Sequence, residues 1–337
     1  MALVWNTTTS YPTDIHHAAV VANDKCVYVA GGLTSNLNAS ITSNVYRANI
    51  NPDGSLSSWV AESSLTNPRM GAQGVYVGGS YTSGGTFWAM GGSSPDVSTF
   101  VSSAERGNTS VFDGDLNGWY VPARNFVLNR NTYFIAAAED QSRPGIVFFA
   151  GGDVDNVGAV FYNKCNYDGT TDGIVQVTTL VSPTVNNLSY GLVAYNGRLY
   201  QLTGDTVTKR YATISGAPSS PSLSSWQSTT SMGYTTPYCF AFAHNNRAYV
   251  VGDNGTYDYR NVVSASIASD GSIGSWTDDS LLPAHTEYVN GARNSKYVYI
   301  VGGHNGTNPK NTVYYAELPK TLGYTGAFTG FNSGFNF

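Results

Sequence analysis

Charged residues are scarce in this chain: they make up 12% of its 337 residues, against about 25% in an ordinary soluble protein. Asn, Ser, Thr, Gly and Tyr must therefore supply much of the surface, a composition more typical of extracellular or virion proteins than of cytosolic enzymes. The formal net charge is −5, and no cluster of Lys and Arg occurs. Both observations argue against broad nucleic-acid binding, so no nucleic-acid partner is expected.

Long apolar runs are also missing. No run approaches the roughly 20 residues of a membrane helix, so no membrane span is expected. Met1–Pro12 has neither the basic region nor the apolar stretch of a Sec-type signal peptide. Two explanations stay open: a mature form whose leader has been removed, or release by lysis, as virus particles are released. Because Trp5 already belongs to the repeat described below, the second is favoured, and the expected location is a virion or the extracellular surface.

Cysteine is rare as well, since the chain has only Cys26, Cys165 and Cys239. Their spacing matches neither a zinc site nor a catalytic-cysteine signature. The repeat places them in non-adjacent units, beyond the reach of a disulfide. We therefore expect three small buried hydrophobic residues.

The dominant feature that the sequence does contain is a repeat. Six times a short apolar run ends at a glycine, roughly every 50 to 60 residues, and this period with β-rich units indicates a propeller. The six glycines are Gly31, Gly91, Gly151, Gly204, Gly252 and Gly302. A second glycine follows in four units, whereas Asp205 and Asp253 replace it in the fourth and fifth.

A turn followed by tryptophan repeats in phase with these glycines. Asp-Gly between two β-rich runs is a strong hairpin signal, because glycine takes the positive φ that such turns need. The third unit keeps Asp168-Gly169 but has Ile174 where Trp is due, and the fourth keeps only the Trp. We expect the tryptophans to lie on outer strands, largely buried between blades, as structural residues. They are Trp5, Trp59, Trp119, Trp226 and Trp276.

The glycine pairs and the tryptophans together resemble the kelch-like β-propellers of the galactose-oxidase and kelch superfamily. The resemblance runs from about Leu3 to Leu318, and residues 1–318 are expected to form one domain. It implies an all-β, six-bladed propeller of four-stranded antiparallel blades. The family includes enzymes as well as proteins that bind other proteins or glycans, so the resemblance leaves the function open.

The last unit lacks a fourth strand of its own, and the N-terminus can supply it. Trp5 stands 54 residues before Trp59, in phase with the other intervals. We predict that Leu3–Trp5 is the outer strand of the last blade, paired with Thr312–Leu318. That pairing would close the ring and leave no unpaired end.

Residues 319–337 form a tail outside the blade pattern, rich in glycine and aromatic residues. A flexible tail is one interpretation. The other is an assembly element that inserts its rings into a groove on a neighbouring protein, since glycine lets a backbone lie close to a surface. Its aromatic residues are Tyr324, Phe328, Phe331, Phe335 and Phe337.

Propeller sites usually lie at the central channel, on the loops that lead into the inner strands. Aromatic and hydrogen-bonding groups there suit a sugar, but they also satisfy loop backbone and channel water. The candidate ligand-binding residues are His16, His17, Arg69, Arg130, Tyr190, Tyr238 and His285. No cysteine accompanies the histidines on these loops, so a copper site is rejected and no cofactor or metal is expected. No catalytic residue is assigned, because no nucleophile motif, phosphate loop or HExxH appears.

Two functions fit these observations. The first is a non-enzymatic structural or adhesive propeller, a component of a virion or surface appendage that contacts other protein subunits or a receptor. The second is a carbohydrate-binding or sugar-active propeller that uses the channel face to hold a cell-surface glycan. Whether the protein is an enzyme stays uncertain, and the balance is against it.

Overall fold

The computed structural model describes most of the chain in segments. The described residues are 2–36, 40–78, 84–94, 101, 103–110, 114–120, 136–139, 145–150, 159–165, 171–179, 191–204, 207–217, 219–236, 239–252 and 259–320. Twenty-five strands fall in them. They are β1 (Trp5–Thr8), β2 (Ala19–Ala22), β3 (Cys26–Ala30), β4 (Val45–Asn49), β5 (Val60–Ala61), β6 (Gln73–Val77), β7 (Thr86–Met90), β8 (Ala104–Thr109), β9 (Leu116–Tyr120), β10 (Ala136–Glu139), β11 (Ile146–Ala150), β12 (Ala159–Cys165), β13 (Thr171–Thr179), β14 (Leu192–Tyr195), β15 (Arg198–Gln201), β16 (Arg210–Ala217), β17 (Ser220–Leu223), β18 (Gln227–Ser228), β19 (Phe240–His244), β20 (Arg247–Gly252), β21 (Asn261–Ser266), β22 (Thr277–Leu281), β23 (Asn290–Arg293), β24 (Tyr297–Val301) and β25 (Val313–Glu317).

The strands form antiparallel sheets of consecutive strands, which we call blades. Blade one is β2–β5, blade two β6–β9, blade three β10–β13, blade four β14–β18 and blade five β19–β22; blade six is β23–β25 with β1. The first strand of each blade contacts the first strand of the next, and β23 contacts β2. The blades therefore stand in a propeller arrangement. Within the described segments, no helix is long and apolar enough to span a membrane.

The prediction of six four-stranded blades is wrong in one respect: five sheets have four strands, and blade four has five. The reason is the length of β16. Its residues Ile214–Ala217 pair with β17, while Arg210 and Tyr211 pair with β18. In blades one and five, only an isolated bridge stands where β17 lies.

The glycine pairs let the end of a second strand lie directly against the backbone of neighbouring loops, where a side chain would not fit. Gly31 and Gly32 have φ of 67° and 102°, in the left-handed region that favours glycine. A Cβ on Gly31 would overlap the carbonyl oxygen of Arg69, and one on Gly32 would lie 2.8 Å from that of His16. The Gly32 N–H donates to the Arg69 carbonyl at 2.7 Å, so the pair joins blade one to the loop that enters blade two.

Apolar side chains fill the spaces between neighbouring blades. One cluster packs Val27 and Val29 of blade one against Tyr299 and Val301 of blade six. Another packs Tyr28 of blade one against blade two. Four further clusters in the described chain lie between blades two and three, three and four, four and five, and five and six. The three cysteines are buried in these clusters, as predicted, and are free thiols.

The outer-strand tryptophans face the preceding blade, but they are half-buried rather than largely buried. Each ring packs at the edge of an inter-blade cluster, and four of them donate a hydrogen bond from Nε1 to the preceding blade. The acceptors are Thr9 O for Trp59 at 3.1 Å, Ser63 O for Trp119 at 2.7 Å, Thr230 O for Trp276 at 3.1 Å and Ser280 Oγ for Trp5 at 3.1 Å. An indole N–H needs such a partner when it packs between blades, and these four rings have one. The backbone of Ile174 pairs with Asn163, and its side chain lies outside the described atoms.

The N-terminal strand has different bounds from those predicted. β1 begins at Trp5 and pairs with β25, with Trp5 opposite Ala316 and Thr8 opposite Val313. Leu3 is not part of this ladder, because its N–H donates to Asp279 Oδ2 of blade five at 2.8 Å. Its side chain is buried in the cluster between blades five and six.

Candidate binding site at the channel

A cavity of about 580 Å³ lies along the axis, between the inner strands. His17, Gly71 and Tyr288, which precede inner strands, line one end, and we call this end the first mouth. Asp24 and Ser295, which follow inner strands, line the other end, the second mouth. Hydrogen bonds join neighbours at each end: the Gly71 N–H donates to His17 O at 2.8 Å, and Ser295 Oγ donates to Asp24 Oδ1 at 2.7 Å.

His17 and Tyr288 occupy equivalent positions, two residues before β2 and β23. Both have left-handed backbones, with φ of 55° and 52°, as does Gly71 before β6 with 65°. A left-handed conformation is unusual for bulky side chains and tends to occur at functional sites. The two rings lie 4.5 Å apart with an angle of 38° between their planes. The strained loops thus bring an imidazole and a phenol together at the first mouth.

His16 lies behind His17 and fixes its tautomer. His16 is 5% exposed, and its Nε2 lies 3.3 Å from the carbonyl oxygen of Ser35, so this nitrogen donates. The Nδ1 atoms of His16 and His17 are 2.8 Å apart, so Nδ1 of neutral His16 accepts from the Nδ1–H of His17. Burial lowers the pKa of both histidines, that of His17 well below 6.5. The pair is therefore neutral at physiological pH.

His304 extends the polar group toward blade six. Its Nε2 donates to Asn36 Oδ1 at 2.9 Å, and its Nδ1 accepts from the N–H of Gly306 at 3.1 Å. Its ring centre lies 5.8 Å from that of His16 and 5.9 Å from that of Tyr288. Burial lowers the pKa of His304, and the nearby Glu287 carboxylate opposes this effect.

His285 lies farther from the cavity. Its Nε2 is 2.9 Å from Glu287 Oε1, and its ring is 4.9 Å from that of Tyr259. The carbonyl of His285 accepts a hydrogen bond from Lys310 Nζ at 2.7 Å. His285 is not a lining residue of the cavity, and its side chain contacts Glu287, the residue before Tyr288.

The structure brings only part of the predicted site together. His17 lines the cavity, and His16 supports it. Arg69 does not reach the cavity, which corrects its assignment: it is 1% exposed and ion-paired with Glu105, Nη2 to Oε1 2.8 Å. Its Nη1 also donates to the carbonyl of Gly91 at 3.0 Å, so Arg69 joins loop to blade.

Arg130, Tyr190 and Tyr238 lie outside the described residues, as do the aromatic residues of the tail. In the sequence, Tyr190 and Tyr238 stand two residues before β14 and β19, the place that His17 and Tyr288 take before β2 and β23. This spacing is the signal that would have identified Tyr288. His304 and Asn36 carried no comparable signal.

Among the residues that the structure describes, no group of three or more His, Cys, Asp or Glu is placed to hold a metal ion. The first mouth instead offers ring faces and hydrogen-bonding groups. These can stack on an apolar ligand surface and can bond to hydroxyl groups.

Pro319, the first residue after the propeller domain, is held at the end of the channel that has the second mouth. His244, the last residue of β19, donates from Nε2 to the carbonyl of Pro319 at 2.9 Å, and Asn245 Nδ2 donates to the same oxygen at 2.6 Å. Because inner strands start at the first mouth and end at the second, Pro319 lies at the opposite end of the channel from His17.

Comparison with known proteins gives the fold alone. No protein-family model matches the chain, and no curated protein matches it. A solved structure of a protein called YjhT is similar, with a TM-score of 0.66 over 90% of this chain and 95% of that chain. The two sequences are 11% identical, too distant for a likeness in function to follow.

Proposed function

We propose that the protein is a non-enzymatic adhesive β-propeller, a virion or surface-appendage component that binds a receptor at the first mouth and other subunits through residues 319–337. The observation that carries the proposal is the opposed placement of two features. His17 and Tyr288 lie at one end of the channel, and the carbonyl of Pro319 is held at the other. Attachment at one end leaves the opposite mouth free to meet a receptor.

The bonding of the histidines supports recognition rather than acid–base catalysis. Burial lowers the pKa of His16 and His17, and each nitrogen of His16 is committed to a fixed partner. A general acid or base needs a pKa near the working pH and access to a transferable proton. Fixed, neutral rings are better suited to holding a ligand.

The proposal includes the kelch-type class and closure of the ring by the N-terminus. The glycine pairs and the outer-strand tryptophans support the class. The pairing of β1 with β25 supports the closure, because it joins residues from the two ends of the described chain in one sheet.

A second candidate is a carbohydrate-binding or sugar-active propeller, favoured by the ring pair of His17 and Tyr288 beside a cavity of about 580 Å³. Aromatic faces pack on the apolar faces of sugars, and a cavity of this volume lies within the usual range for small ligands.

One experiment separates the candidates. The full-length protein, its His17→Asn variant and its Tyr288→Asn variant are applied to a glycan array and to candidate host cells. Asn tolerates the left-handed backbone, so these variants remove a ring with little backbone strain. The adhesive proposal expects cell binding that both variants weaken at least ~10-fold, without chemical change of any glycan. Anomer exchange or hydrolysis, followed by NMR, would favour a sugar-active protein, and cell binding unchanged in both variants would contradict receptor binding at the first mouth.

A further inference from the structure

Arg293 is a cation in the channel wall, and no described residue forms an ion pair with it. It is the last residue of β23, and it lines the cavity near the second mouth. Its hydrogen bond within the described chain is a long one, from Nη1 to the carbonyl of Asn294 at 3.4 Å. A guanidinium has five N–H donors in a planar fork, so most of its capacity is unused by these residues.

The described neighbours of Arg293 do not pair with its charge: Asp24, the carboxylate at the same mouth, accepts hydrogen bonds from Ser295 instead. Burial lowers its pKa, and only the Tyr195 hydroxyl opposes that effect. Tyr195 donates to Asn246 Oδ1 at 3.2 Å, and His244 donates to the Pro319 carbonyl. Burial lowers the pKa of His244, the hydrogen bond to Pro319 opposes this effect, and the charge of Arg293 adds to the lowering. No carboxylate in the described segments forms an ion pair with Arg293.

The turn that follows holds Arg293 in place. Asn294 Oδ1 accepts from the N–H groups of Lys296 and Tyr297 at 2.8 and 2.7 Å, and its Nδ2 donates to the carbonyl of Asn23 at 3.2 Å. The end of β23 is therefore fixed between blade six and blade one. The backbone that carries Arg293 is held in one position, which lowers the ordering cost of binding a ligand.

We infer that the second mouth is an anion site, at which Arg293 binds the carboxylate or sulfate group of a small ligand in the channel. Arg293 is half-buried and makes one long hydrogen bond within the described chain, so an oxyanion can supply the counter-charge and the hydrogen bonds that these residues do not. The planar fork of Arg fits an oxyanion with two parallel hydrogen bonds. This site is separate from the first mouth and does not rest on the proposed function.

The test is calorimetric titration of the full-length protein with sodium sulfate and with sodium acetate, at constant ionic strength set by sodium chloride. Saturable binding of one or both anions is expected, and the two arms tell which oxyanion the site prefers. Arg293→Gln should raise the dissociation constant at least ~10-fold. Lys296→Gln is the matched control, because it removes an exposed positive charge three residues away and should leave binding unchanged.

Arg293→Lys is a second variant, for the case in which Arg293→Gln loses binding because it does not fold. It keeps the charge but loses the fork, so it should fold and bind less tightly than the natural protein. The inference is wrong if no saturable binding occurs at constant ionic strength, since channel water then hydrates Arg293. Equal loss in Lys296→Gln, or equal affinity in all variants, overturns it as well, because either result means general attraction of anions.

Discussion

The hydroxyl of Tyr299 donates a hydrogen bond to the carbonyl oxygen of Gly54 at 2.9 Å, across 245 positions of sequence. Tyr28 makes the same bond to Gly114 at 2.7 Å, one blade further round the ring. In each case a tyrosine of a second strand bonds to the glycine of an Asp-Gly sequence in the next blade. The turns therefore act as contacts between blades as well as local reversals of the chain.

Gly54→Ala should lower the free energy of unfolding more than Gly197→Ala does. Both glycines have positive φ, 86° and 71°, so both substitutions strain the backbone by ~1–3 kcal/mol. A Cβ on Gly54 would also overlap the Tyr297 ring, whereas nothing lies within 4 Å of one on Gly197. Urea unfolding of both variants measures the difference, and equal losses would contradict the docking of this turn.

Leu3→Ala and Val4→Ala test the N-terminal segment. Leu3 is 4% exposed in the cluster between blades five and six, and its truncation should cost ~2–5 kcal/mol. Val4 is 71% exposed, so its truncation should change stability by less than ~0.5 kcal/mol. Thermal unfolding reports both values.

Deletion of residues 1–8 tests closure of the ring. It removes β1, its ladder with β25 and the hydrogen bond from Trp5 to Ser280. Because these interactions tie blade six to the N-terminus and to blade five, the melting temperature should fall by several degrees or more. A melting curve that matches the intact chain would reject closure by β1.

Trp59→Phe should destabilise the fold more than Trp226→Phe. The first change removes the bond from Nε1 to the carbonyl of Thr9, worth ~0.5–1.5 kcal/mol. Trp226 Nε1 is buried without a hydrogen-bond partner among the described residues, so its loss removes no bond of that kind. Both replacements keep an aromatic ring, which leaves the N–H as the main difference. The opposite order in denaturant unfolding would show that ring packing outweighs the hydrogen bond.

His17→Asn should reduce the loss of stability in acid. Burial holds the pKa of folded His17 well below 6.5, whereas the unfolded histidine takes up a proton near 6.5. Since the unfolded state then binds more protons, stability is present above pH 6.5 and is lost as the pH falls below it. Tyr288→Asn is the control: it changes the equivalent position of blade six but leaves His17 in place, so its stability should depend on pH as that of the natural protein does. Parallel stability curves for all three proteins from pH 7 to 5 would contradict the assignment.

If residues 319–337 are the assembly element proposed above, truncation after Leu318 should leave the melting temperature close to that of the full chain but abolish incorporation into the proposed particle. The blades end before this point, and β25 ends at Glu317. A full-length variant with Ser at Tyr324, Phe328, Phe331, Phe335 and Phe337 keeps the length of the tail and should fail in the same way. Co-sedimentation with particles from cells that make the full set of structural proteins checks both, and normal incorporation would rule out an assembly role.

Much of the fold was predictable because its signals are local. A glycine that ends a strand and an Asp-Gly turn each report the conformation of a few residues, and their recurrence gives the β-propeller. The fifth strand of blade four was not predictable, because nothing in the sequence of Arg210–Ala217 indicates that this strand pairs with two short strands, β17 and β18. Nor did the half-burial of the tryptophans follow, since it depends on how neighbouring blades pack.

The candidate site was predictable only as a set of loops. His16 and His17 were found because they precede an inner strand. Arg69 occupies a similar loop, but its side chain forms an ion pair with Glu105, 36 positions away, instead of facing the channel. Residue type does not reveal such a partner. The same limit hid Arg293, whose isolation becomes visible only when the channel is formed.

The amino-acid sequence by itself determined the repeat, the antiparallel strands and the turns between them, because these depend on interactions over a few residues. Only the tertiary structure decided which side chains meet at the two ends of the channel. His17 and Tyr288 are 271 positions apart and become neighbours because β2 lies beside β23. Packing between blades sets that proximity, and no local pattern records it.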